Sequence, residues 1–224
     1  MKKFCGLLVI LGVLSSPALA AYFVAGSFNG WNPAGLAMTE TFPGSGIWSA
    51  TAAPLGSREE FKITDGTWGW NFPGSGNAWM YYGDGSVTIT FDTNVYADGW
   101  VNVTNRIGVD EAPGSWTAVG DWQGWNNGNP VTAMVPMGGG IYLYEQDIAP
   151  GWWQYKAVYT GTWDAIGADA RSVNADTYWF ETTAANPHAK FWVDAYAGVI
   201  KVEVVPEPAA AVALALLALV ARRR

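Results

Sequence analysis

Residues 25–32 read AGSFNGWN, and residues 119–126 read VGDWQGWN, an offset of 94 positions. The two stretches share Gly26/Gly120, Gly30/Gly124, Trp31/Trp125 and Asn32/Asn126. The same offset pairs Gly46-Ile47-Trp48 with Gly140-Ile141-Tyr142 and Phe61-Lys62 with Tyr155-Lys156. A shift of one residue then brings Gly66-Thr67-Trp68 onto Gly161-Thr162-Trp163. Self-similarity held over this distance is the signature of a duplicated structural unit. It predicts two domains, residues 21–104 and 116–205. Residues 105–115, NRIGVDEAPGS, are polar with a Pro-Gly pair and suit a linker.

Inside each copy the runs are short, rich in aromatic and β-branched residues, and bounded by Gly, Pro, Asn and Asp. Examples are residues 87–91, 100–104, 141–148, 153–159, 190–193 and 199–205. Before residue 206 no stretch holds a 3.6-residue apolar period over three turns. The pattern predicts an all-β body of two small tandem sandwiches. Period-two alternation in Glu60-Phe61-Lys62-Ile63 and Gln154-Tyr155-Lys156-Ala157 turns the apolar neighbours inward, so Lys62 and Lys156 face outward.

Composition narrows the chemistry. Of 224 residues, fourteen are Trp, and all fourteen lie between residues 21 and 205. That body holds eighteen acids against seven Lys and Arg, leaving it about eleven charges negative. Such a surface repels phosphate backbones, which argues against nucleic acid and anionic lipid as partners. The single Cys is Cys5 and the single His is His188. Disulfides, Cys/His zinc sites, Cys nucleophiles and His-pair mechanisms are thereby excluded from the body. Neither a metal nor a cofactor is expected. Asp92, Asn94 and Asp98 supply oxygen ligands but lack the full calcium-loop pattern.

The two ends read as addresses. Residues 1–20 carry two lysines, an apolar run over residues 4–14 and an Ala18-Leu19-Ala20 site, the layout of a signal peptide cut before Ala21. Residues 206–224 carry Pro206, Glu207 and Pro208, an apolar helix former over residues 209–221 and terminal arginines. Thirteen residues make a helix of roughly 20 Å, short for a membrane core of about 30 Å. This tail resembles the PEP-CTERM sorting signal of Gram-negative, exopolysaccharide-producing bacteria. The resemblance implies processing near Pro206-Glu207-Pro208 by an exosortase-type membrane protease. The membrane is then met only through the C-terminal helix, before release or display at the cell surface or in the extracellular matrix.

Fourteen Trp are more than two small cores readily hide, because the indole is large and its N–H needs a partner. Several are therefore expected to show a face to solvent. A pyranose ring suits such a face, its C–H side packing on the indole while hydroxyls meet Lys, Asn and carboxylates. The order GSFNGWNP, a Gly-Ile-Trp strand and FKITDGTW in copy one, with VGDWQGWN, GIY and YKAVYTGTW in copy two, resembles the glycogen- and starch-binding modules. These accompany branching enzymes, isoamylases and pullulanases and occur in the AMP-activated kinase β subunit. The resemblance implies an immunoglobulin-like early set fold. Its matched platform is Trp31, Lys62 and Trp68 in copy one and Trp125, Lys156 and Trp163 in copy two. Copy one departs from it, with six rather than seven residues from Lys to Trp and an adjacent Trp70.

Each of these residues also has a structural reading. Trp31 and Trp125 suit the turn after the first strand, Lys62 and Lys156 a solvated sheet face, and Asn32 and Asn126 a turn. Trp48 and Tyr142 are expected in the core and His188 in a loop. The leading functional expectation is a non-catalytic exported protein binding α-glucan-like polysaccharide. The alternative is a structural surface or matrix protein that uses the same modules for protein contacts. A glycosidase would need a carboxylate pair, and no acid pair recurs in both copies.

Overall fold

The computed structural model describes residues 22–82, 85–110 and 114–206. The expected signal peptide, Glu207, Pro208, the apolar stretch 209–221 and the arginine tail lie outside the described residues. No helix among the described residues is long and apolar enough to cross a membrane.

Among the described residues the first copy, extended through residue 110, contains nine strands: β1 (Phe23–Gly26), β2 (Leu36–Ala37), β3 (Thr39–Glu40), β4 (Ile47–Ala52), β5 (Arg58–Thr64), β6 (Asn71–Phe72), β7 (Ala78–Tyr81), β8 (Val87–Asp92) and β9 (Arg106–Asp110). The second contains β10 (Trp116–Val119), β11 (Val135–Gly138), β12 (Ile141–Asp147), β13 (Gly151–Tyr159), β14 (Asp164–Ile166), β15 (Arg171–Val173), β16 (Tyr178–Thr182), β17 (His188–Asp194) and β18 (Val199–Val205). Four antiparallel sheets result. Two have five strands, β2-β1-β5-β6 with β7 also on β5, and β10-β13-β14-β15 with β16 also on β13. Two have four, β3-β4-β8-β9 and β11-β12-β17-β18.

Duplication is visible in the register. Ala25 pairs with Lys62 as Val119 pairs with Lys156, and Glu60 pairs with Trp79 as Gln154 pairs with Trp179. Alternation works as the sequence implies, with Phe61, Ile63, Tyr155 and Ala157 fully buried. Tyr142 lies in the core of the second copy, and Trp48 packs against that of the first.

The expected pair of tandem immunoglobulin-like sandwiches is overturned. The four sheets do not divide into two self-contained sandwiches, because burial does not respect the repeat boundary. Trp79, from the first copy, belongs to the core cluster of the second. Its Nε1–H donates to the Ala165 carbonyl at 3.0 Å, and its ring lies 5.7 Å from that of Trp116, with the Arg171 guanidinium 4.5 Å above it. Tyr81 stacks on Tyr159 at 4.0 Å between centroids. Backbone bonds also cross, from Val173 N–H to Asn77 O at 2.9 Å and from Val101 N–H to Ile200 O at 2.8 Å. The physical reason is surplus aromatic area: rings that one copy cannot bury are covered by the other.

Two local expectations change with it. Within residues 105–115, expected as a linker, Arg106–Asp110 forms β9 on β8, with Ile107 and Val109 buried. Residues 100–104 form no strand; Asn102 instead donates its side-chain N–H to the Gly167 carbonyl at 2.9 Å.

Candidate functional site

The two GWN turns are built alike. After β1 and β10 the chain makes a single 3-10 turn, and Gly30 and Gly124 end it with φ of +66° and +75°. Trp31 and Trp125 follow with φ of +60° and +57°, a left-handed conformation that is unusual for a bulky side chain and costs of order 1–3 kcal/mol. Their N–H groups donate to Gly26 O at 2.9 Å and Gly120 O at 3.0 Å. Asn29 and Gln123 brace the turns by donating to Val24 O and Ala118 O. Asn32 and Asn126 hold turns as well, each accepting from the backbone N–H two residues on. Both indoles are half-buried. That of Trp125 closes a small cluster of Val119, Val158, Ala165 and Ala175 on the outer face of the β10-β13-β14 sheet.

Lys156 lies on that same face. It is only 8 % exposed, and its Nζ donates to Ala175 O at 3.0 Å. Burial lowers its pKa, and the carboxylates of Asp169 and Asp176 act in the opposite direction. The Trp163 ring centroid is 5.5 Å from this ammonium, within cation–π range, and the indole is 41 % exposed. The second copy therefore brings Trp125, Lys156 and Trp163 to one place. Trp125 supports it from within, Lys156 anchors it, and Trp163 presents a face outward.

In the first copy the three expected residues are less closely joined. The Lys62 ammonium donates to Pro73 O at 2.5 Å and its pKa is lowered by burial. Trp68 is 46 % exposed, and Trp70 is exposed beside Tyr22 at 5.7 Å. Two outward indoles thus stand where one is expected, with the lysine committed to backbone.

Other candidates resolve into structural roles. Asp98 pairs with Arg106 at 2.8 Å through both oxygens, and Asp92 accepts from Asn94 and Tyr96. Among the described residues no cluster of His, Cys, Asp and Glu is placed to hold a metal. His188 is not in a loop: it opens β17, is buried, and has Nδ1 2.7 Å from Asp147 Oδ1. Sequence reading missed Trp152 and Trp179, which are 61 % and 54 % exposed on β13 and β16. The signal was present. In Trp152-Trp153-Gln154-Tyr155-Lys156 the alternation that sends Lys156 outward sends Trp152 and Gln154 the same way. Trp153 points inward, donating from Nε1 to Ala149 O at 3.0 Å.

No family model and no curated protein matches the chain. Among solved structures it is similar to a pullulanase from Bacillus acidopullulyticus, at 12 % identity and a TM-score of 0.32. That match covers 55 % of this chain and 20 % of the pullulanase, so the chain spans about a fifth of that protein's length.

Proposed function

We propose that the chain is a non-catalytic, exported carbohydrate-binding protein that recognises α-glucan-like polysaccharide by indole stacking. The observation that carries the reading is Trp163, an exposed ring held beside Lys156 on a sheet face that Trp125 also covers, with Trp68 and Trp70 outward in the first copy. A sugar ring packs its C–H face on such an indole, and no proton transfer or nucleophile is needed for that task. Two such places on one chain let modest affinities combine when both reach the same polymer. The ends of the sequence complete the proposal: export through residues 1–20, processing at Pro206-Glu207-Pro208 by an exosortase-type protease, and display at the surface or in the exopolysaccharide matrix of a Gram-negative bacterium.

Isothermal titration of the full chain with glycogen and amylose tests this. Heat of binding is expected with at least one of them, reduced about tenfold in affinity by Trp163→Ala. No heat with either polymer overturns the reading.

One observation favours a second reading. Trp79, in the same register as exposed Trp179, is buried in contact between the two copies. A structural surface protein would use the remaining aromatic faces in that way, against protein. It predicts reversible self-association or matrix-protein capture that Trp163→Ala weakens, with no heat of binding to either polysaccharide.

A further inference from the structure

The two copies present the same sheet face to different surroundings. In the first, that face carries Arg58, Glu60, Trp79 and Tyr81, and it is closed by the second copy. Arg58 grips Asp164 with two bonds of 2.6 Å, Tyr81 donates to Asp164 at 2.7 Å, and Trp79 is fully buried. In the second copy the corresponding positions are Trp152, Gln154, Trp179 and Glu181. Here both rings are more than half exposed.

The register defines the geometry. Trp152 pairs with Glu181 and Gln154 with Trp179, so all four side chains lie on one face with the two indoles at diagonal positions. Diagonal neighbours stand roughly 7–8 Å apart at the backbone. The Gln154 carbonyl oxygen accepts from Thr177 at 2.7 Å, which fixes the amide and turns its N–H groups away from that bond. Glu181 adds an acceptor at the other diagonal, and the patch thus offers two rings, an amide donor and a carboxylate acceptor. Lys156 lies two residues beyond Gln154 on the same side, four residues or roughly 13 Å along the strand from Trp152. Trp163 is at that end.

A second copy of this chain is the competing occupant, docking as the first half docks on the second. Its charges oppose that. The position equivalent to Tyr159, on which Tyr81 stacks, is Asp65 in the first copy, and it would be set against Glu181. Two carboxylates would replace a stacked pair of phenol rings, on a body that is already strongly acidic.

We propose that Trp152 and Trp179, with Gln154 and Glu181, form a second saccharide-binding site, selective for neutral over acidic polysaccharide. The assignment rests on the carbohydrate reading above for its ligand class. It extends that reading from one indole to a row along β13 able to hold one polymer chain across both patches. Glu181 accepts from sugar hydroxyls and repels uronate carboxylates.

The test measures binding of the full chain to glycogen, amylose, hydroxyethylcellulose and alginate. It compares the unaltered protein, the double variant Trp152→Ala/Trp179→Ala, and Trp163→Ala. The substituted rings are outward, so the far-ultraviolet circular dichroism and melting temperature of each variant should match those of the parent. Expected is binding of a neutral polymer, none of alginate, and a loss of about tenfold or more in the double variant. The same loss with Trp163→Ala silent supports this site and removes the other. Parent binding that the double variant keeps within twofold overturns this inference alone. Absence of any binding by the parent overturns the proposed function and this site with it. Self-association seen by sedimentation velocity, and abolished by the double variant, also overturns the site, giving the face to a second copy.

Discussion

Trp79 and Trp179 occupy equivalent places in the two repeats, each opposite the residue that precedes the aromatic-Lys pair, yet one is sealed and the other open. Truncating them to alanine separates what the repeat shares from what the assembled chain adds. Trp79→Ala removes a ring that touches Trp116, Tyr81 and Tyr159, lies under Arg171, and donates to the Ala165 carbonyl. A buried Trp→Ala change costs about 3–5 kcal/mol, the cavity and the orphaned carbonyl included. For a chain of this size each kcal/mol moves Tm by roughly 2–4 °C, so a fall of about 10 °C is expected. Trp179→Ala removes an exposed ring and is expected to stay within about 0.5 kcal/mol of the parent. Urea unfolding followed by circular dichroism, together with calorimetry, reads both. Because the Trp79 contacts join the two copies, the parent should unfold in a single transition and the Trp79 variant should broaden it or divide it. Equal costs for the two substitutions, or two independent transitions in the parent, would refute the shared core.

Arg58→Ala should cost about 2 kcal/mol, because it leaves the buried Asp164 carboxylate with Tyr81 but without its guanidinium; part of the gain is screened where Arg58 meets solvent. A double-mutant cycle with Asp164→Ala should return a coupling of the same order, and additivity would disprove the pairing. Burial and the hydrogen bond to Asp164 push the Tyr81 phenol up to about 12, from an ordinary value of 10.0. With the folded value raised, its stabilising contribution is complete below pH 10 and is lost as pH rises toward 12. Tyr81→Phe should flatten that part of the alkaline unfolding curve, and an unchanged curve would show that the shift does not govern it.

Much of the architecture was legible from residue order. Duplication shows in the GWN turns because a left-handed Gly followed by a left-handed Trp is a demanding local geometry, and each copy meets it with the same residues. Close backbone approach adds to this: a Cβ on Gly26 would lie 2.8 Å from Glu60 O, and one on Gly120 2.0 Å from Gln154 O. Inward and outward faces of β5 and β13 followed from period-two alternation alone. The tandem-sandwich expectation failed because alternation gives a side chain's face and not what covers that face. Trp79 shares its register with outward Trp179 and is buried only because the second copy closes over it. Residues 105–115 read as a linker because their polar ends mask the buried Ile107 and Val109.

Amino-acid order by itself determined the all-β character, the duplicated unit, the acidic charge and the alternating faces of β5 and β13. Those are local properties, set by backbone conformation and by hydrophobic alternation over a few residues. Tertiary packing alone decided which equivalent rings stay exposed. Arg58, Trp79 and Tyr81 find partners a hundred or so residues away in Asp164, Ala165 and Tyr159, whereas Trp152 and Trp179 remain open to solvent. Burial of a surface depends on the shape and charge of whatever lies across from it, and that information is distributed over the whole chain.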